Sequence, residues 1–431
     1  MTLKYILTIL LVTMLVLPLQ SGRAQSTVPT INATSAISVD SENGQVLMSQ
    51  NADEVLEVGS VSKLLSVYVA LKAIEQDDEW TRESIVPVSD EAYYLSQNYD
   101  IGNVPLRQDN NYTVNELVEA ISINLANGAT LALSEMIGES EANFVRMMEV
   151  QLTEWGIEEF NLINSTGLAV DGEAGETNAF SAEAAAIIAY HLVNDFPDYL
   201  EYSVQSKAVF KPNTDDAIDM NNYNQMLKGK PYERDDVSGL MPGSSDADGS
   251  SFVGYAHQDE FGLITVVLGA EDEDARYEET EALMDYSFRA YMKELVVSEG
   301  QPTTQVNTIR VEGSSETEAE LAYGKDMSLV VPIIDTAPRL EYEFSMNESL
   351  FEGRSYLIAP VEQGEVIGQM AIYGVGTEFV YLPSTKGNYV PVVQAEPIEE
   401  AAWYVTGWRS FSDGIGNTWE STRRFFVELF N

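Results

Sequence analysis

Cysteine is absent from the chain. Disulfides, thiol nucleophiles, cysteine-ligated zinc and iron–sulfur clusters are therefore excluded together. Histidine is almost absent: His191 and His257 are the two in 431 residues. A Ser-His-Asp triad or a multi-histidine metal site would have to be built from that pair. His191 falls in an alanine-rich helical run and His257 in the turn-like stretch Ala256-His257-Gln258-Asp259, so both read as structural. No cofactor or metal is implied, and a catalytic base would be Lys, Asp, Glu or Tyr. Basic residues are also scarce: 23 Lys and Arg face 69 Asp and Glu, a net charge of −46. Nucleic acid is excluded as a partner, because phosphate binding needs clustered Lys and Arg. Electrostatic docking on anionic lipid is disfavoured for the same reason.

What is present is globular in character, with 45% apolar and 10% aromatic residues. The length suits two or three domains. The N-terminus reads as a secretory signal over residues 1–24. Lys4 is followed by an apolar core from Tyr5 to Leu19, and Gly22-Arg23-Ala24 supplies small residues for cleavage after Ala24. Secretion without cysteine suits a bacterial envelope. At the other end, Trp403, Tyr404, Trp408, Phe411, Ile415, Trp419, Phe426 and Phe430 recur at three- and four-residue steps. That spacing predicts one apolar helical face. Intervening charges interrupt it too often for a spanning helix, so residues 396–431 are expected to lie amphipathically on a membrane surface.

Between the ends, residues 25–297 mix helical and strand patterns, which predicts an α+β domain. Glu42-Asn43-Gly44 between two short apolar runs is a hairpin signal. Helices are expected over Leu64–Ile74, Thr113–Ile137, Glu141–Glu154, Ser181–Val193 and Glu278–Leu295. Phe252–Ala256 and Leu263–Leu268 read as a strand pair. Composition shifts near Ser298, and residues 298–395 show short alternating strands, an all-β module of sandwich type.

One spacing carries chemistry. In Gly59-Ser60-Val61-Ser62-Lys63, Ser60 and Lys63 are three apart at the start of an apolar helix, on one face and within reach of each other. A serine hydroxyl needs a base, and a desolvated lysine can serve as one. Taken with the order of Ala36–Lys63, Ala120–Phe144, Phe160–Ala189, Val237–Leu268 and Ala359–Gly368, this resembles the low-molecular-mass penicillin-binding proteins, the secreted serine-type D-alanyl-D-alanine carboxypeptidases. The resemblance spans nearly the whole chain. It implies a penicillin-binding/β-lactamase-like domain of antiparallel sheet and helices, a small β-rich domain, and a membrane-surface tail.

The family uses three motifs, S-x-x-K, S-x-N and K-T-G. The resemblance makes Ser60 the acylated nucleophile and Lys63 its base. The second motif falls at Leu125-Ala126-Asn127: Asn127 is kept to orient substrate, and Leu125 replaces the serine. The literal Ser122-Ile123-Asn124 reads as a decoy, since its use would force a gap into a matching helix. The third motif falls within Val237-Ser238-Gly239-Leu240-Met241-Pro242-Gly243, where Met241 replaces the lysine and Pro242 the threonine. Gly243 and Ser244 are then the substrate-binding residues, with backbone N–H groups of Ser60 and Ser244 as the oxyanion hole. The implied partners are the peptidoglycan stem peptide, with β-lactams as acylating ligands, at the outer face of the bacterial cytoplasmic membrane. Two readings stay open: a weakened acyl-serine carboxypeptidase, or an inactive scaffold binding muropeptides or partner proteins. Lys228 and Lys230, about a dozen residues ahead of the third motif, read as solvated loop residues.

Overall fold

The structure, a computed structural model, describes residues 28–170, 176–333, 339–375 and 379–402. The expected signal segment and the tail helix from Trp403 onward lie outside the described residues. Among those described, no helix is long and apolar enough to cross a membrane.

The first region is built on a five-stranded antiparallel sheet. Its strands are β1 (Ala33–Asp40), β2 (Val46–Gln50), β3 (Val237–Ser245), β4 (Gly249–Gln258) and β5 (Phe261–Ala270), in the order β3-β4-β5-β1-β2. The first described strand therefore pairs with a partner more than two hundred residues away, with Ile37 opposite Val266. Strand alternation buries both faces. Ile37, Val39, Ile264 and Val266 enter the main core, while Leu47, Phe252, Leu263 and Val267 pack on the opposite side.

Helices cover both faces. On the main-core side stand α1 (Lys63–Gln76), α2 (Val114–Asn124), α3 (Asn127–Gly138), α4 (Glu141–Glu154) and α5 (Ala182–Asp195), and α6 (Glu273–Ala290) packs against β4 and β5. Four of the six start at side-chain caps. Thr113 and Glu116 form a reciprocal capping box, and Ser140, Ser181 and Asp272 each accept backbone N–H groups of the first turn.

Three expectations differ. The helix expected over Thr113–Ile137 is two helices, because the chain turns at Leu125, whose φ is +50°. A left-handed non-glycine residue costs roughly 1–2 kcal/mol, so surrounding structure holds this turn. The closing helix ends at Ala290, and Tyr291–Val297 is a strand paired with Met327–Pro332. His257 lies in β4 rather than in a turn.

The C-terminal strands surround a separate core that includes Leu321, Leu329, Met370, Ile372 and Val392. Six of them form one sheet. The β1–β2 hairpin is the bolt between the two regions. Gln45 Nε2 donates to Val330 O at 2.6 Å, Val330 N donates to Gln45 Oε1 at 3.1 Å, and Val46 N donates to Val380 O at 2.8 Å. His191 stacks on Trp155 with centroids 4.4 Å apart, and its ring nitrogens meet Asp195 and Ser384. It is a joint residue between the regions.

Candidate active site

A cavity of about 330 Å³ opens between the edge strand β3, the α2–α3 turn and the segment around Gly167. Ser60, Leu125, Asn127, Pro242, Gly243 and Ser244 all line it. Residues from three distant parts of the sequence thus meet at one place. Ser122 and Asn124 do not line it: Ser122 is buried in α2 and Asn124 donates to Asn103 O. Lys228 and Lys230 lie outside the cavity too.

Ser60 sits in a single 3₁₀ turn, Gly59–Ser62, that runs into α1. Lys63 Nζ donates to Ser60 Oγ at 3.0 Å and to Thr166 O at 2.6 Å. Lys63 is fully buried. Burial without a counter-charge pushes its ammonium down from the usual lysine range to about 7. A free amine is therefore populated at neutral pH beside the serine hydroxyl, as a general base requires.

The turn is held by close approach and by hydrogen bonds. A Cβ at Gly59, whose φ is +51°, would lie 2.2 Å from Ser244 O, and one at Gly243 would lie 2.3 Å from Val58 O. Only glycine fits at either position, so β3 is drawn against the serine turn. Behind it, Asn178 is fully buried. Its Oδ1 accepts from Ile163 N at 2.7 Å and Asn164 N at 3.2 Å. Its Nδ2 donates to Ser62 Oγ at 2.9 Å and Asn164 O at 2.8 Å. Asn164 Oδ1 in turn accepts from Thr166 N and Gly167 N. The carbonyl that receives Lys63 is thereby fixed relative to the serine turn.

The opposite wall is different. Leu125, read as replacing the motif serine, lines the cavity, and Met241 is fully buried in the main core. Pro242 occupies an edge strand, the place in a sheet that tolerates its missing N–H. Asn127 Nδ2 donates to Gly102 O at 2.9 Å, whereas its Oδ1 is buried without a partner. A buried orphan acceptor beside a cavity is suited to a ligand N–H.

Three residues of the site escaped the sequence reading. Arg276 is the one Lys or Arg among the described residues lining the cavity. It is nearly buried, and Nη1 donates to Gly243 O at 3.0 Å. Glu273 lies 3.7 Å from Nη2, the Tyr277 ring is 4.9 Å away, and Nε has no partner. It sits in the first turn of α6, outside any motif; the scarcity of cations was the available signal. Asn178 and Thr166 were likewise not singled out.

A serine hydrogen-bonded to a buried lysine, in a cleft between an antiparallel sheet and a helical cluster, is the arrangement of the penicillin-binding class. The chain belongs to the D-alanyl-D-alanine carboxypeptidase family, whose model matches residues 22–272, more than half of its length. It is 25% identical over 382 residues to the D-alanyl-D-alanine carboxypeptidase DacC of Escherichia coli, covering 88% of each chain. Among solved structures it is similar to a peptidoglycan synthesis regulatory factor (PBP3) from Streptococcus pneumoniae. There the identity is 29% and the TM-score 0.74, covering 86% of this chain and 100% of that one. Penicillin-binding protein 5 of Haemophilus influenzae shares the fold, with a TM-score of 0.67 at 21% identity, covering 87% of this chain and 99% of that one.

Proposed function

We propose that this protein is a peptidoglycan D-alanyl-D-alanine carboxypeptidase that works through an acyl-serine intermediate. The carrying observation is the 3.0 Å contact between Ser60 Oγ and a lysine held near neutrality by burial. Lys63 takes the Ser60 proton as Oγ attacks the carbonyl between the two D-alanines. The backbone N–H groups of Ser60 and Ser244 face the developing oxyanion. Asn127 Oδ1 accepts the donor-strand amide N–H, Gly243 lets the strand approach, and Arg276 draws the terminal carboxylate. β-Lactams, which present a strained amide, acylate the same serine. The expected setting is the extracytoplasmic face of the bacterial membrane, with residues 396–431 lying on the surface.

The apolar Leu125, Met241 and Pro242 weaken turnover. Each charge-assisted hydrogen bond missing from a site is worth roughly 1.5–3 kcal/mol, about 10- to 150-fold in rate. The same three residues favour the second reading, a scaffold that binds muropeptides without turning them over. Release of free D-alanine from a stem pentapeptide by the mature protein separates the two. The enzyme reading expects slow release that vanishes in Ser60→Ala. Tight pentapeptide binding with no release above the Ser60→Ala background would favour the scaffold.

A further inference from the structure

We infer that this site acts far better on ester acyl donors than on amides: its substrate class is a stem-type chain whose terminal D-alanyl carbonyl is bonded to the oxygen of a 2-hydroxy acid. The inference rests on the acyl-serine reading and adds the nature of the bond cleaved.

The argument is about where protons can go. Ser60 lines the cavity and Lys63 does not. Lys63 is fully buried behind the serine, and its hydrogen-bond partners among the described residues are Ser60 Oγ and Thr166 O. Lys63 can therefore take the serine proton. Once Oγ is acylated, Oγ can no longer relay that proton to a leaving atom in the cavity. No other lining group is bonded to Lys63, so none can carry that proton onward: the hydroxyls of Thr177, Tyr223, Ser244 and Ser245 and the carboxyls of Asp246 and Glu273 line the cavity but are not among its partners. Leu125 and Ile101 are apolar, and Pro242 has neither hydroxyl nor N–H. The Thr177 hydroxyl donates to Asn178 O, and Ser245 Oγ accepts from Asp248 N. The Arg276 guanidinium does not release a proton in this range. Tyr223 belongs to the Arg276 wall, where its carbonyl accepts from the Tyr277 hydroxyl.

An amide nitrogen must gain a proton before the C–N bond can break, whereas an alkoxide departs unprotonated. A missing general acid therefore penalises the amide selectively, by about 10²–10⁴-fold. The ester sequence balances with the groups present. The Ser60 O–H proton passes to Lys63 Nζ, the Oγ–carbonyl bond forms, and the carbonyl–oxygen bond breaks. The alkoxide takes a proton from cavity water, leaving hydroxide. Hydroxide attacks the acyl carbon, the acid departs, and the Lys63 ammonium returns its proton to Ser60 Oγ. The sum is ester plus water giving acid plus alcohol. Arg276 still reads the terminal carboxylate, which both substrates carry.

The test uses the mature wild-type protein with a matched pair: an N-acylated peptide ending in D-alanyl-D-alanine, and its ester counterpart ending in D-alanyl-D-lactate. A family member carrying complete S-x-N and K-T-G motifs is measured alongside. The expected ratio of kcat/KM, ester over amide, exceeds that of the reference enzyme by at least about 10²-fold. Added imidazolium, a small external acid, is expected to accelerate amide cleavage with little effect on the ester, and Ser60→Ala abolishes both. A ratio no higher than the reference's overturns the inference, as does selective loss of amide cleavage in Tyr223→Phe, which would reveal the phenol as the acid. A penicillin adduct without ester cleavage also overturns it, while leaving the acyl-serine reading standing. Neither adduct nor cleavage brings down both.

Discussion

The two walls of the cavity were built to different standards. On the Ser60 wall, the serine turn, residues 163–167 and Asn178 are tied by a set of hydrogen bonds through Asn178 and Asn164. On the facing wall, Leu125 and Pro242 offer shape without proton chemistry. In the proposed mechanism the first wall makes the nucleophile, and the second, which would hand a proton to the leaving group, has no group bonded to Lys63 to do so. The difference separates formation of the acyl-enzyme from departure of the amine. A mechanism usually treated as one unit is thus divided across two surfaces.

The comparison breaks most sharply at Lys63. Lys63→Met is expected to lower the penicillin acylation rate by about 10⁴-fold or more, read from adduct formation by mass. It is also expected to raise the melting temperature, because a buried ammonium is removed. The sign follows from the lowered pKa: between about 7 and 10.5 the unfolded chain binds a proton that the folded one does not. The Lys63 contribution to stability therefore rises with pH across that window, and the advantage of Lys63→Met is largest below pH 7 and fades toward pH 10. A variant less stable at acid pH would contradict the account.

Asn178→Ala comes next. It leaves Ile163 N and Asn164 N without their acceptor and takes from Ser62 Oγ one of its two partners, which should cost roughly 2–4 kcal/mol in chemical denaturation. Displacing Thr166 O from Lys63 should slow acylation by about 10²-fold. Normal acylation in this variant would mean that the network supports the fold and not the lysine. Arg276→Gln sharpens the other wall. It should raise KM by about 10- to 150-fold for substrates with a free terminal carboxylate, and far less for carboxamide-capped ones. Equal effects on both would remove the guanidinium from substrate recognition. The smallest change expected is a gain. Leu125→Ser restores a cavity hydroxyl and should raise amide cleavage at least about tenfold, within the lower range of general-acid effects. No gain would show that the turn does not present this position to the reacting atoms.

Much of the first wall was legible because it is local. Ser60 and Lys63 lie within one helical turn, and Glu42-Asn43-Gly44 declares its hairpin through glycine at φ +78°. The β1–β5 pairing is long-range and was not foreseen, and the meeting of Leu125, Asn127, Gly243 and Ser244 around Ser60 entered only through family resemblance. Periodicity misread residues 113–137 as one helix, because both halves are apolar and the break is a leucine in the left-handed region rather than a glycine or proline. The helix-to-strand change at Tyr291 was hidden for a similar reason: Tyr291–Val297 alternates on a partly exposed ladder and continues the preceding pattern. Asn178 and Arg276 carry no motif. Their importance comes from burial and from what they touch, which spacing alone does not encode.

The central claim is that the nucleophile is intact although the leaving-group wall is not. Intact-protein mass after incubation with a penicillin, followed across pH 5 to 9, addresses it most directly. The account predicts one adduct per chain, lost in Ser60→Ala, forming at a rate that climbs with pH through about 7 and then levels as Lys63 becomes the free amine. No adduct at high concentration and long exposure, or an adduct that persists in Ser60→Ala, would contradict it.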